Sequence, residues 1–287
     1  MKRKIMIIIS ILIIVFIIAS VIYIINKEII KENNSIQGSL RKVAPYLHEI
    51  TFADYKFDTD LETINNIGEF RSSSMKNGNY FGNSFFYKLN NVPEFIVTVN
   101  AGENRHASIG MAIHFGLEEE KLLNDEYYEE LELIPNFTLD GINDCGVVCA
   151  CSMVYKENTE EVTGTNPEGE KLHMLFIPRF VLDNASSAEK AIELLNSRNI
   201  YGKLNDEMDI HIMISDETKT YIVEFIDNKM VAVEKKGNEQ IMTNYYNNLD
   251  YYTENSAGIE RYNILKENYN LILPSIILNG SFLSMWS

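Results

Sequence analysis

The segment RSSSMKNGNYFGN, residues 71–83, joins a strand-like run to an aromatic strand-like run through an Asn-Gly pair. Asn-Gly between two such runs is a strong signal for a β-hairpin, because both residues accept the positive φ angles of a tight turn. Three serines, at positions 72 to 74, precede the turn. The segment therefore predicts an antiparallel sheet. It also raises the question of whether one of these hydroxyls is a nucleophile.

Strand and helix patterns follow this hairpin in blocks. Further strand-like runs lead to a helical block at residues 168–199, strands return at residues 209–236, and a last helical pattern covers residues 256–270. Helices grouped between blocks of hairpin-linked strands favour antiparallel sheets in layers over a doubly wound parallel sheet. The predicted fold class is therefore α+β.

The helical block contains two local signals. Residues 168–184 have apolar residues at helical spacing, and Pro178 should kink this helix or mark a boundary. Ser186 and Glu189 match a capping box at the start of an amphipathic helix. We therefore expect two helices here.

The N-terminus has the pattern of a membrane anchor. Lys2, Arg3 and Lys4 precede an uncharged apolar run from Ile5 to Ile25. At about 1.5 Å per residue this run matches a hydrocarbon core of roughly 30 Å. Basic residues on the N-terminal side keep that end inside, so the rest of the chain should face the outside of the cell.

The sequence therefore predicts a single-pass membrane protein with an extracytoplasmic C-terminal domain. A cleaved signal peptide is the main alternative, although no Ala-x-Ala site closes the apolar run. The expected segments are a cytoplasmic tip, a membrane anchor, a juxtamembrane or pro-region-like segment and one domain, at residues 1–4, 5–25, 26–67 and 68–287.

Charge and metal-ligating residues limit the partners. A formal net charge of -16 argues against a nucleic-acid partner. The three cysteines, Cys145, Cys149 and Cys151, lie in an apolar strand-like segment, so we expect buried side chains, with the last two on one face. None of the five histidines stands beside a second ligand in the sequence, and His211 lies in an alternating strand with an expected structural role. We therefore expect no metal and no cofactor.

Several segments resemble one enzyme family. TLDGINDCGVVCACSMVY, residues 138–155, resembles the Gly-[MI]-Asn-Glu-Lys-Gly-Leu segment of the choloylglycine hydrolase and penicillin V acylase family. SSAEKAIELLNSRN, DIHIMISDETKTYIVEF, QIMTNYY and SAGIERYNIL resemble later segments of that family in the same order. These proteins are linear amide C–N hydrolases of the N-terminal-nucleophile (Ntn) superfamily. The resemblance covers residues 68–270 and implies a four-layer αββα sandwich.

The resemblance also gives the opening segment a role. The family's mature chain begins with a cysteine nucleophile at the position of Ser72, although a shift to Ser73 or Arg71 stays open. An Ntn enzyme uses its first side chain as nucleophile and its own α-amine as base, so the Arg71–Ser72 bond would have to be cut. Serine retains the nucleophilic role with lower intrinsic reactivity.

Other positions depart from the family pattern. Asn83 stands where the family has an arginine, and Phe86 stands where it has an aspartate that hydrogen-bonds the α-amine. Ser152 stands where an asparagine usually binds the oxyanion, a contact worth about 2.7–4 kcal/mol in the transition state. Asn244 and Arg261 match the family's asparagine and arginine.

Two hypotheses of different class follow. The chain is either an extracytoplasmic amide hydrolase with Ser72 as nucleophile, or a catalytically silent relative that binds a ligand or a protein partner. The resemblance implies a small acyl-amide-like ligand in both cases. Relatives are often oligomers, so an oligomer is an open expectation.

Overall fold

The structure is a computed structural model. It describes residues 40–57, 70–87, 92–114, 117–119, 122, 128–155, 162–202, 208–247 and 258–271. Strands and helices alternate in blocks along these residues, which confirms the predicted α+β class.

The described residues form strands and helices with the following bounds. The strands are β1 (Arg41–Ala44), β2 (Leu47–Phe52), β3 (Phe70–Asn77), β4 (Tyr80–Tyr87), β5 (Glu94–Val99), β6 (Ser108–Ile113), β7 (Thr138–Asn143), β8 (Val148–Tyr155), β9 (Glu170–His173), β10 (Arg198–Tyr201), β11 (Met208–Ser215), β12 (Thr220–Ile226), β13 (Lys229–Glu234) and β14 (Ile241–Met242). The helices are α1 (Tyr128–Leu131), α2 (Ile177–Asn184), α3 (Ala188–Asn196) and α4 (Ile259–Glu267).

The strands form three sheets. The largest has nine strands in the order β1-β2-β5-β6-β7-β8-β11-β12-β13, and a second has the order β14-β3-β4. Neighbours in both are antiparallel except β2 and β5, which pair in parallel. The small sheet of β9 and β10 is also parallel. The predicted antiparallel pairing is therefore confirmed for most of the sheet structure.

The sheets and helices pack in layers. Helices α2 and α3 cover one face of the nine-stranded sheet, over a core that includes Phe176, Val181 and Ile212. The three-stranded sheet lies on the other face of the large sheet, and α4 covers its outer side at Met75 and Leu265. The order helix, sheet, sheet, helix agrees with the expected αββα arrangement.

The first two strands begin well before the predicted domain boundary at residue 68. β2 pairs with β5 along its whole length, from Leu47 with Glu94 to Phe52 with Val99. Phe52 is fully buried in the core beneath this pair. The nine-stranded sheet therefore includes part of the segment expected to precede the domain.

The predicted hairpin is strands β3 and β4. Asn77 pairs with Tyr80, which leaves Gly78 and Asn79 as a two-residue loop. Gly78 has a φ of 60°, as the first central residue of a type II′ turn requires. Asn77 therefore ends the strand, and glycine supplies the unusual backbone angle.

In the helical block, Pro178 marks a boundary as predicted, whereas the predicted helix over residues 168–176 and the predicted cap need correction. Residues 170–173 form β9 rather than helix, and Pro178 stands in the first turn of α2, where proline replaces an N–H that has no partner. The cap of α3 is Ser187, whose side chain accepts a hydrogen bond from the Lys190 N–H at 3.1 Å. The true cap therefore lies one residue after the predicted Ser186.

The predicted membrane anchor at residues 5–25 lies outside the described residues. Among the helices that the structure describes, none is long and apolar enough to cross a membrane.

Candidate functional site

Strand β3 carries the candidate nucleophile on the face toward the large sheet. The Ser72 hydroxyl donates a hydrogen bond to the Cys151 carbonyl on β8 at 3.2 Å. Side chains alternate along a strand, so Ser73 faces the other way, and its Oγ accepts a hydrogen bond from Nη1 of Arg261 at 2.9 Å. Position 72 therefore lies between the two sheets.

Asn244, which follows β14, holds the backbone of Ser72. Its Oδ1 accepts a hydrogen bond from the Ser72 N–H at 3.2 Å. Its Nδ2 donates to Ser152 Oγ at 3.1 Å and to the Met153 carbonyl at 2.7 Å. This buried carboxamide thereby links the small sheet to β8.

Arg261 of α4 completes the cluster. Its Nη1 donates to the Ser72 carbonyl at 3.0 Å, and its Nη2 donates to Asn244 Oδ1 at 2.5 Å. The structure thus brings Ser72, Ser152, Asn244 and Arg261 into one hydrogen-bonded cluster. Their roles in catalysis stay predictions.

The surroundings of Ser72 position its hydroxyl without activating it. Ser72 is only 1% exposed. Among the described residues its hydroxyl has one hydrogen-bond partner, a backbone carbonyl, which is not a base at neutral pH. A serine nucleophile needs a group that takes up its proton. In the continuous chain the nitrogen of Ser72 is an amide nitrogen, which cannot do so.

The two residues expected to depart from the family pattern lie on opposite faces of β4. Phe86 pairs with Arg71 and is 62% exposed, on the face away from the Ser72 hydroxyl. Asn83 pairs with Ser74 and points between the sheets. Ser74 Oγ donates to Asn83 Oδ1 at 2.9 Å, and Asn83 Nδ2 donates to the carboxylate of Asp140. Asn83 therefore connects β3 to β7.

Asp140 is a candidate residue that the sequence prediction did not include. The sequence feature that could have identified it is an acidic residue inside the strand-like TLDGIN segment. Burial raises the pKa of its carboxyl above the ordinary value of 3.8, and hydrogen bonds from the Asn83 side chain and the Met111 backbone offset part of this rise. The carboxyl is therefore easier to protonate than an exposed aspartate.

A cavity of about 910 Å³ opens beside Asn83 and Asp140. This volume lies in the range typical of small-molecule sites. Ile109 and Ile142 pair across β6 and β7 and form part of its apolar wall, where they are 48% and 43% exposed. Gly110 also lines the cavity, and a Cβ there would lie 2.2 Å from the Asp140 carbonyl oxygen, so glycine permits the close approach of β6 and β7.

Lys76 provides a cation at the same cavity. It belongs to β3, is nearly buried, and its Nζ donates hydrogen bonds to the carbonyls of Asp216 and Glu217. Burial lowers the pKa of its ammonium below the ordinary value of 10.5. An ammonium has three donors, and the described residues accept hydrogen bonds from two of them, which leaves the third available to a ligand.

The cysteine prediction is only partly confirmed. Cys149 and Cys151 are buried in the core on the same face of β8. Burial raises the pKa of both thiols, so neither is a thiolate nucleophile at neutral pH. Cys145 is exposed, contrary to the prediction, because the strand begins only at Val148.

His106 stands beside no second ligand in the sequence, but the fold supplies two. Folding places Asp144 and Cys145 beside it, although about forty residues separate them in the sequence. His211 is fully buried, with Nδ1 3.6 Å from Oε1 of Glu224. Its structural role stays a prediction.

Comparison with known proteins supports the family resemblance. The family model described as acyl-coenzyme A:6-aminopenicillanic acid acyl-transferase matches residues 135–276, close to half of the chain. The matched part contains Ser152, Asn244 and Arg261 but not the hairpin with Ser72. None of the curated protein sequences matches the chain.

Three solved structures, of two different proteins, are also similar to it. Two are point variants of the conjugated bile acid hydrolase from Clostridium perfringens. The first has 19% sequence identity and a TM-score of 0.43 over 63% of this chain. The second has 20% sequence identity and a TM-score of 0.37 over 51% of this chain. Penicillin V acylase from Agrobacterium tumefaciens has 18% identity and a TM-score of 0.35 over 78% of this chain. The chain spans 55% and 40% of the length of the two bile acid hydrolase structures, and 53% of the length of the penicillin V acylase structure.

The family match includes the strand of Ser152 and the residues Asn244 and Arg261, which the fold then brings to the serine of the first hairpin. The family match therefore supports the resemblance to the Ntn-hydrolase group that contains choloylglycine hydrolase and penicillin V acylase.

Proposed function

We propose that the chain is a catalytically silent relative that binds a small acyl-amide-like ligand in the cavity beside Asn83 and Asp140. The observation that carries the proposal is the separation of the two regions. The Ser72 hydroxyl is buried against the Cys151 carbonyl, whereas the open space lies at Asn83 and Asp140. Asn83 and Phe86 replace family residues, and neither offers Ser72 a charged partner.

The cavity lining suits an elongated ligand with one polar end. Ile109, Ile142 and Phe81 offer an apolar wall for an acyl group. Burying such a group gains about 25 cal/mol per Å² of apolar surface. Asn83 and Asp140 offer hydrogen-bonding groups for an amide, and Lys76 offers a cation for a carboxylate or sulfonate.

Binding can be tested by calorimetry with two probes, penicillin V and a conjugated bile acid. We expect at least one to bind. Lys76→Met should weaken binding by at least about tenfold, because a hydrogen bond to a charged group is worth about 1.5–3 kcal/mol. Ile109→Glu should also weaken it, and since this residue is at the surface the variant should fold normally. Lys171→Met changes an exposed lysine outside the cavity and serves as the control.

Mass spectrometry of the probes after incubation with the protein tests whether Ser72 is catalytically inactive. We expect no acid and amine products of amide hydrolysis, and we expect Ser72→Ala to bind the probes like the wild type. Hydrolysis that Ser72→Ala abolishes would overturn the proposal, and so would a complete lack of binding to members of both ligand classes.

Amide hydrolysis is the second candidate, and the cluster at Ser72 favours it. If the Arg71–Ser72 bond is cut, the nitrogen that now donates to Asn244 becomes an α-amine, which has a pKa near 8 in model compounds and can act as a base. Because β2 is paired with β5 and buried, the cut chain would remain a noncovalent complex. Mass spectrometry under denaturing conditions decides the matter, since a mature fragment beginning at Ser72 is required.

We also propose that residues 5–25 anchor the chain in a membrane, with residues 26–287 outside the cytoplasm. The support is the uncharged apolar run behind three basic residues. A substrate or ligand would then be met on the outer side of the membrane.

A further inference from the structure

Two loops bring three metal-ligating side chains together at the surface, away from Ser72. His106 precedes β6, and Asp144 and Cys145 follow β7. The nitrogen, oxygen and sulfur atoms of these side chains lie within 4.8 Å of one another. All three side chains reach solvent, with His106 30% and Asp144 48% exposed.

The distances between these atoms fit a single metal ion. His106 Nδ1 lies 3.1 Å from Asp144 Oδ1 and 3.4 Å from Cys145 Sγ. Zinc bonds of about 2.0–2.3 Å in a tetrahedron place ligand atoms about 3.3–3.7 Å apart. Both distances from His106 Nδ1 are close to this range, and all three ligand atoms lie within 4.8 Å of one another, so there is room for one shared ion.

The backbone around the three residues is held firmly. The Ala107 N–H donates to Asp144 Oδ2 at 3.2 Å, which leaves Oδ1 directed at His106. The Asp144 N–H donates in turn to the Ala107 carbonyl at 2.9 Å. Such hydrogen bonds to ligating side chains orient them and strengthen metal binding.

Asn143 anchors the turn that carries the ligands. Its buried Nδ2 donates to the Leu182 and Ala185 carbonyls, and its Oδ1 accepts from the backbone N–H groups of Cys145 and Val147. Little ordering entropy remains to be lost when a metal binds, because this turn is already fixed.

We propose that His106, Asp144 and Cys145 bind a zinc ion through Nδ1, one carboxylate oxygen and Sγ, with the fourth position open to solvent. Nitrogen and thiolate ligands favour zinc over magnesium or calcium. Cys145 binds as the thiolate, so its proton passes to the solvent on binding. The protein's net charge of -16 also favours a cation.

The ion would join the turn between β7 and β8 to the loop before β6. Gly146, the next residue after Cys145, lines the cavity described above. The zinc site thus lies at the margin of that cavity, but the proposal does not depend on the proposed function.

Calorimetry with zinc chloride on the tag-free full chain tests the site. We expect one ion per chain. Cys145→Ala and His106→Ala each remove a ligand atom, so each should cost at least the roughly 10–100-fold in affinity that loss of a supporting hydrogen bond typically costs. Glu193→Gln changes an exposed carboxylate on α3 and should bind zinc like the wild type. Unchanged affinity in both ligand variants would overturn the site.

A cobalt absorption spectrum and a thiol-labelling assay identify the sulfur ligand. Cobalt added to the wild type should give a thiolate-to-metal charge-transfer band that Cys145→Ala lacks. A thiol reagent should label one cysteine of the native chain, because Cys149 and Cys151 are buried, and zinc should slow that labelling. A band that persists in Cys145→Ala, or labelling that zinc leaves unchanged, would contradict the proposal.

Discussion

At the scale of single residues, the carboxamide of Asn244 uses its oxygen for two donors and its NH₂ group for two acceptors. The donors are the Ser72 N–H and Arg261, and the acceptors are Ser152 Oγ and the Met153 carbonyl. A buried group with this many partners is costly to remove, because each partner is left without water to replace it.

Asn244→Ala should therefore destabilise the protein. We expect the free energy of unfolding to fall by about 1–3 kcal/mol for the polar groups left unsatisfied. Urea unfolding measures the change, with Asn104→Ala on an exposed loop as the control. A surface substitution of that kind should stay within about 0.5 kcal/mol of the wild type. Equal stability of the two variants would show that Asn244 is not a central contact.

Asp140 predicts a specific pH dependence. Its folded pKa is raised above 3.8 by burial, so the fold favours the protonated form. The stability it contributes is fully present below the unfolded pKa and is lost as pH rises through the folded pKa. Asp140→Asn lacks this loss, so its stability relative to the wild type should increase as pH rises from 3.8 toward neutrality.

Urea unfolding of both proteins at a series of pH values measures this difference. Asn83→Ala provides the matched test, because it removes a hydrogen bond that lowers the pKa of Asp140. The loss of stability in Asn83→Ala should extend to higher pH than in the wild type. A difference between Asp140→Asn and wild type that is flat across this range would contradict the argument.

At the scale of elements, helix α3 depends on its first turn. The Ser187 hydroxyl accepts from the Lys190 N–H, whereas Ser186 is exposed and lies outside the helix. Ser187→Ala should lower the free energy of unfolding by about 1 kcal/mol, the usual cost of losing such a cap. Ser186→Ala is the matched control and should have a smaller effect. Thermal or urea unfolding of the pair distinguishes the two, and the reverse order would restore the original capping-box assignment.

Elements also differ in how well local sequence predicts them. The hairpin of β3 and β4 was predictable because its turn residues and its strand pattern are adjacent. β9 was missed because its parallel partner β10 lies about thirty residues later, beyond the reach of a local pattern. Pro178 signalled a boundary, but only the structure identifies it as the start of α2.

At the scale of the whole molecule, the proposed anchor is a testable property. The full chain should be recovered with membranes, and a chain of residues 26–287 should be recovered in the soluble fraction. Replacing Ile13 with Arg should weaken insertion, since a charge at the centre of a span costs about 2.5–3.5 kcal/mol. Recovery of a shortened soluble chain from the full-length gene would favour the cleaved signal peptide.

The sequence by itself determined the fold class, the family resemblance and the residues expected at the site, because turn chemistry, strand periodicity and short family segments are local properties. Only the tertiary structure decided that Ser72, Ser152, Asn244 and Arg261 meet, that the open cavity lies instead at Asp140, and that His106 meets Cys145. These contacts join strands and loops far apart in the chain. Strand pairing and layer packing create them, and no local pattern records which distant side chains will become neighbours.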